Sequence, residues 1–181
     1  MNIKDVTTTT FGLIVAYLLP GVAGLYTISL YARGARHLFA PRNGSVGFVL
    51  LILSALLVGV FLNGVRTIIQ HQEENGKRTG IWGWKWKWTP INNQDFNKIK
   101  DPNKLACFVA VLDEYYRAYQ FFGSLTLVLP PLYVGWARCG VLSPAVAVVL
   151  GLLTMAATIR ASLLTWNSYV GIGHRILEGP P

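Results

Sequence analysis

Four stretches of this chain carry no charged residue at all: Val6–Ala32, Asn43–Val65, Ala118–Ala137 and Cys139–Ile159. A helix rises about 1.5 Å per residue, so crossing roughly 30 Å of hydrocarbon takes about 20 residues, and each stretch is long enough. Few soluble folds tolerate four such runs in 181 residues. Only 13% of the residues are charged and 52% are hydrophobic, where a soluble domain usually carries about a quarter charged residues. The sequence therefore predicts an all-α membrane protein, a bundle of four transmembrane helices. The first run follows a weakly charged N-terminus and lacks a small-x-small cleavage site, so it reads as a retained span near Phe11–Tyr31 rather than a secretory signal.

Prolines and small residues mark where these spans bend and pack. Pro20 falls inside span one, and Pro130 and Pro131 fall inside span three. Each proline removes a backbone donor, which a membrane helix tolerates where neighbours satisfy the freed carbonyl. The three are candidate kinks, read first as ordinary bundle features and second as a hinge or pore lining. In span four, Ser143, Ala147 and Gly151 recur every fourth residue, a spacing that lets helix backbones come close. That span is expected to end near Ile159, with Arg160 as a boundary charge. A charge within a span is a functional candidate, and snorkelling to the headgroups is the cheaper alternative.

The chain divides into a first helix pair (1–65), a polar segment (66–117) and a second helix pair with a short tail (118–181). The polar segment holds nine of the sixteen Lys and Arg and six of the eight acids. Span two is expected to continue as a helix through Glu73-Glu74 to a stop at Asn75-Gly76. Asp101 is a suitable N-cap and Pro102 suits the first helical position, so span three is expected to begin early. Asp113 and Glu114 lie four and three residues before Arg117, within reach on one helix face. Spans two and three thus extend beyond the bilayer as a short helical hairpin.

Between these extensions stands Trp82-Gly83-Trp84-Lys85-Trp86-Lys87-Trp88. Alternation puts the four indoles on one face of an extended strand and Gly83, Lys85 and Lys87 on the other. The leading reading is a membrane-interface segment, with indoles at the headgroups and lysines on lipid phosphates. A strand paired with its own copies in a homo-oligomer comes second. Stacking of nucleic-acid bases comes last, because no basic groove or recognised fold supports it.

Chemistry is sparse. The histidines are His37, His71 and His174, and the cysteines are Cys107 and Cys139. No spacing among them makes a metal site, and both cysteines read as packed thiols. No nucleophile elbow and no phosphate-binding glycine loop occurs, so neither enzyme activity nor a cofactor is expected. Arg66 and His71 have the R-x4-H spacing of HEPN-type ribonucleases, and this six-residue stretch resembles that motif. The resemblance implies an Arg–His catalytic pair. Because span two runs straight into it, the sequence favours a juxtamembrane cationic face. Asn43-Gly44-Ser45 matches a glycosylation sequon and also reads as the turn that opens span two.

With Arg160 set aside, the side shared by the termini and the central segment carries 11 Lys and Arg, against 4 on the other side. The positive-inside rule places both termini in the cytoplasm, plausibly at a bacterial inner membrane, although the arginines just after span one argue locally for the reverse. The net charge of +8 suits anionic lipid. The expected partners are the lipid bilayer, further copies of the chain and a soluble protein. Two functions follow: a homo-oligomeric channel, pore former or membrane-disrupting effector; or a membrane-anchored sensor or scaffold that docks a partner through residues 66–117, in bacterial defence or signalling.

Overall fold

The computed structural model describes Gly12 and residues 14–39, 44–70, 73–74, 77–78 and 101–178. The first helix opens with a π-helical turn, Ile14–Leu18, and continues as α1, Leu19–Tyr31. Pro20 has no N–H for the carbonyl four residues back, and the wide turn precedes it directly. A short helix α2, Arg33–Arg36, and a 3₁₀ turn, His37–Phe39, follow. Helix α3 is Gly44–Gln70, and Gly44 begins it at a φ of 55°. Helix α4, Pro102–Val111, passes through a second π turn, Leu112–Tyr116, into α5, Arg117–Arg138. Helix α6 is Pro144–Glu178.

Helix ends follow their local chemistry. The Asn103 N–H donates to Asp101 Oδ1 at 2.9 Å, so Asp101 caps α4 as its residue type suggests. Pro130 and Pro131 lie inside α5. That helix closes on Gly140, whose φ is 72°. The Val141 N–H donates to Trp136 O at 2.9 Å and the Gly140 N–H to Ala137 O at 3.2 Å, the paired bonds that a left-handed glycine allows. Three residues on, Ser143 Oγ accepts from the Val146 N–H at 3.4 Å, and Pro144 takes the first helical position. The serine of the small-residue spacing is thus a helix cap, and α6 starts five residues later than its charge-free run.

Two expectations are corrected. Helix α3 stops at Gln70, and the Glu73-Glu74 backbone pairs antiparallel with Lys77-Arg78 in place of a longer helix. Asn75-Gly76, between them in sequence, is the dipeptide that most favours a two-residue strand reversal. Helix α6 does not end near Ile159 but runs on to Glu178. No Gly or Pro breaks it at residues 160–170, and its later part has an aromatic face to bury. The Trp82–Trp88 stretch lies outside the described residues.

Three helices are long and apolar enough to cross a membrane: Ile14–Tyr31, Gly44–Ile69 and Pro144–Leu177. Their outer faces leave large apolar side chains uncovered, with Val46 and Leu57 each 73% exposed. Apolar patches of that extent are rare on water-facing surfaces, so this is a membrane protein. Helix α5 is the less apolar partner at the centre, packed against α1, α3 and α6. It runs antiparallel to α6, with Thr126 opposite Thr158 (hydroxyls 3.0 Å apart) and Tyr119 opposite Ser162.

The tightest crossing joins the first helix to α3. A Cβ built on Gly21 would lie 1.8 Å from Ala55 O, and one on Gly59 would lie 2.0 Å from Tyr17 O. Backbone therefore meets backbone here, as small residues permit in membrane bundles. Ala55 and Gly59 have the same four-residue spacing as Ala147 and Gly151. Gly151 has only ordinary contact with Tyr133, at 3.6 Å from its built Cβ.

Candidate functional site

Where α3 packs against α5, at the end nearest Gln70, an arginine is buried against a tyrosine ring. Arg66 lies one turn before the end of α3 and is 2% exposed. Its Cζ stands 4.4 Å from the centroid of the Tyr119 ring, within cation–π range. Arg66 Nε donates to Asn63 Oδ1 at 3.1 Å and Nη2 donates to Thr67 Oγ1 at 3.4 Å. Thr67 Oγ1 in turn donates to Asn63 O at 2.8 Å, as helical threonines often do. The expected juxtamembrane cationic face is therefore corrected: Arg66 points into the bundle, because Tyr119 offers a ring at that depth. His71 lies outside the described residues.

Tyr119 anchors a wider cluster. Its ring is 4.9 Å from Trp166, which is 5.7 Å from Tyr169. Tyr169 is 5.3 Å from Tyr116 and 6.3 Å from Phe108. With Val111 and Val170 these residues form a buried core between the α4–α5 helix and the later part of α6. The tilted ring pairs lie at the separations that aromatic quadrupoles favour. The spacings Phe108–Val111 and Trp166–Tyr169–Val170, three and four residues apart, were legible as apolar helix faces. That the two faces meet each other was not.

Polar groups continue into the bundle from this cluster. Gln120, 6% exposed, donates from Nε2 to Tyr17 Oη at 3.2 Å. Ser162 Oγ donates to Tyr119 O at 3.4 Å. Ser124 Oγ is the buried side-chain atom without a hydrogen-bond partner among the described residues. Arg117 Nη2 pairs with Asp113 Oδ1 at 2.6 Å across the π turn, which realises one of the two expected pairings.

The remaining sequence candidates scatter. Arg160 is exposed on α6, while Ser162 and Thr158 on the same helix take the inward positions. Pro20 is buried in the first turn of α1. Cys107 and Cys139 are both exposed, which corrects the expectation of packed thiols: Phe108 and Val111 take the buried face of α4, and Cys139 falls in the turn after α5. About 48 Å of helix separates the two cysteines, far beyond disulfide reach. No group of three His, Cys, Asp or Glu able to hold a metal occurs among the described residues.

No family model, curated protein or solved structure matches the chain. Functional inference therefore rests on the geometry alone. The site offers a buried cation on the Tyr119 ring, beside the aromatic core between α4–α5 and α6.

Proposed function

We propose that the chain is a four-span membrane anchor whose helices stand out of the bilayer as a platform that presents residues 71–101 to a soluble partner. Helix length carries this reading. Counting about 20 residues for the hydrocarbon from the turn at residues 139–143 takes α5 back to about Tyr119 and α6 on to about Leu163. The aromatic cluster of Phe108, Val111, Tyr116, Trp166, Tyr169 and Val170 then lies beyond the bilayer, where water drives apolar groups together. The same count from Gly44 leaves Arg66 just outside. Helix α5 is the fourth crossing: two of its polar groups bond within the bundle, Gln120 to Tyr17 and Thr126 to Thr158, and its neighbours stand between much of it and lipid. The platform side is the more cationic one, so both termini face the cytoplasm.

The two exposed cysteines test the crossing directly. In sealed, oriented vesicles a membrane-impermeant maleimide is expected to label Cys107 from one side and Cys139 only from the other. Labelling of both from a single side would remove α5 from the set of spans. The partner reading predicts that a soluble protein co-purifies from native membranes and is lost when residues 77–100 are replaced by a neutral linker. Retention after that replacement would sink it.

Arg160 favours a second reading, a homo-oligomeric pore or membrane-disrupting effector. It is exposed within the candidate span Pro144–Leu177. Because α5 occupies the centre of the bundle, conduction would run between copies. This reading predicts ion flux in liposomes that Arg160→Ala abolishes. An unchanged flux in that variant counts against it and favours snorkelling, since Arg160 lies about 24 Å along α6 and within reach of the platform-side headgroups.

A further inference from the structure

At the end of the bundle opposite the platform, an apolar groove of about 490 Å³ runs between α5 and α6. Pro144, Ala147, Gly151 and Met155 line it from α6, and Pro130, Tyr133 and, at the end of the helix, Arg138 line it from α5. Ala147 and Gly151 leave the space open, since neither projects more than a methyl group. From Pro144 to Met155 the groove follows α6 for about 16 Å, the depth of one leaflet's acyl chains. The guanidinium of Arg138 lies 5.5 Å from the Tyr31 ring centroid. An arginine held over a ring keeps its in-plane N–H donors for a phosphate.

The charge pattern of this end is one-sided. Residues 32–43 contain Arg33, Arg36 and Arg42, residues 138–143 contain Arg138, and neither stretch contains an Asp or Glu. Arg36 is committed to the end of α1, donating to Ser29 O at 2.9 Å and Leu30 O at 3.4 Å. Arg138 is the cation that borders the groove.

We infer that this groove binds one anionic phospholipid, with an acyl chain along Ala147 and Gly151 and the phosphate at Arg138. The inference rests on the four-span reading, which sets the ends of α5 and α6 at the membrane boundary. A soluble anion would have no use for the groove, and a zwitterionic lipid, whose choline offsets its phosphate, would gain less from the arginine.

The test counts lipid bound to the purified full chain by native mass spectrometry, with phosphatidylglycerol and phosphatidylcholine of equal chain length. Phosphatidylglycerol is expected to be retained about fivefold more, the value of one cation near a lipid phosphate. Arg138→Gln removes that preference and Arg138→Lys keeps it. Gly151→Phe fills the groove and lowers retention of both lipids, while Gly151→Ala, with only ordinary contact at Tyr133, leaves it unchanged. Glycerol phosphate, which has the headgroup chemistry without the chain, displaces nothing. Equal retention of the two lipids, a preference that survives Arg138→Gln, or displacement by glycerol phosphate overturns the inference. So does a dimer that Gly151→Phe disrupts, which would make a second copy the occupant. Cysteine labelling separates the two levels: opposite-side labelling with no lipid preference leaves the four-span reading standing and removes the site alone.

Discussion

Gly59→Ala is expected to lower the thermal midpoint of the detergent-solubilised protein by about 5–10 °C. The added Cβ would sit 2.0 Å from Tyr17 O, closer than any real contact, and the obstacle is backbone rather than a flexible side chain. The helices must separate or shear, and overpacking of this kind costs about 1–3 kcal/mol or somewhat more. For a chain of this size each kcal/mol moves the midpoint by about 2–4 °C. Gly21→Ala should behave alike, since it strikes Ala55 O from the other side of the same crossing. Gly64→Ala in the same helix is the contrast: nothing lies within 4 Å of its built Cβ, and alanine is the better helix former by about 1 kcal/mol. Its midpoint should hold or rise. Equal midpoints for Gly59→Ala and Gly64→Ala would mean that the first helix and α3 do not meet here.

Arg66→Ala is the second large effect, expected to cost about 3–4 kcal/mol. A desolvated cation–π contact contributes about 2 kcal/mol, and half-buried Asn63 Oδ1 loses its charged donor at a cost of about 1–2 kcal/mol. Truncation also leaves a void against Tyr119. Arg66→Met restores apolar volume without charge and should recover much of the loss, because a buried cation is rarely worth more than a well-packed apolar group. Arg66→Lys keeps the charge but loses the planar fork that reaches Asn63 and Thr67 together. Trp166, 4.9 Å from Tyr119, is a built-in reporter. With the other five tryptophans changed to Phe, unfolding followed by its fluorescence should shift for Arg66→Ala and hold for a substitution at exposed Arg33. An Arg66→Ala variant as stable as the parent would remove the arginine from the organisation of the cluster.

Much of the scaffold was readable because it depends on short-range pattern. Uninterrupted apolar length marked four spans, and three of those helices are long and apolar enough to cross a membrane, the run Ala118–Ala137 not being among them. Asp101 and Pro102 marked the start of α4, and Asp113 was correctly spaced for Arg117. Helix ends were less legible. Apolarity continues smoothly from residue 139 to 159, so only the bond pattern at Gly140 and Ser143 locates the break. At the far end of α6, Arg160 resembled a boundary by charge alone. A single exposed arginine does not terminate a helix whose next turns have an aromatic face to bury.

The site was harder to see for a different reason. Arg66 has the same sequence context whether it faces water or a ring, and the arbiter is Tyr119, 53 residues away. The cysteines erred similarly: residue type predicts burial, but Phe108 and Val111 had already claimed the inner face of α4.

The sequence by itself determined the solvent, because apolar length and scarcity of charge are additive properties that need no partner. It also determined the cap of α4 at Asp101, since that bond is settled within a few residues. Tertiary structure decided which helix lies at the centre and where backbones touch. It also decided which cation is buried and which borders a groove. Those outcomes depend on groups far apart in the chain arriving at the same depth, a condition that only the packed bundle imposes.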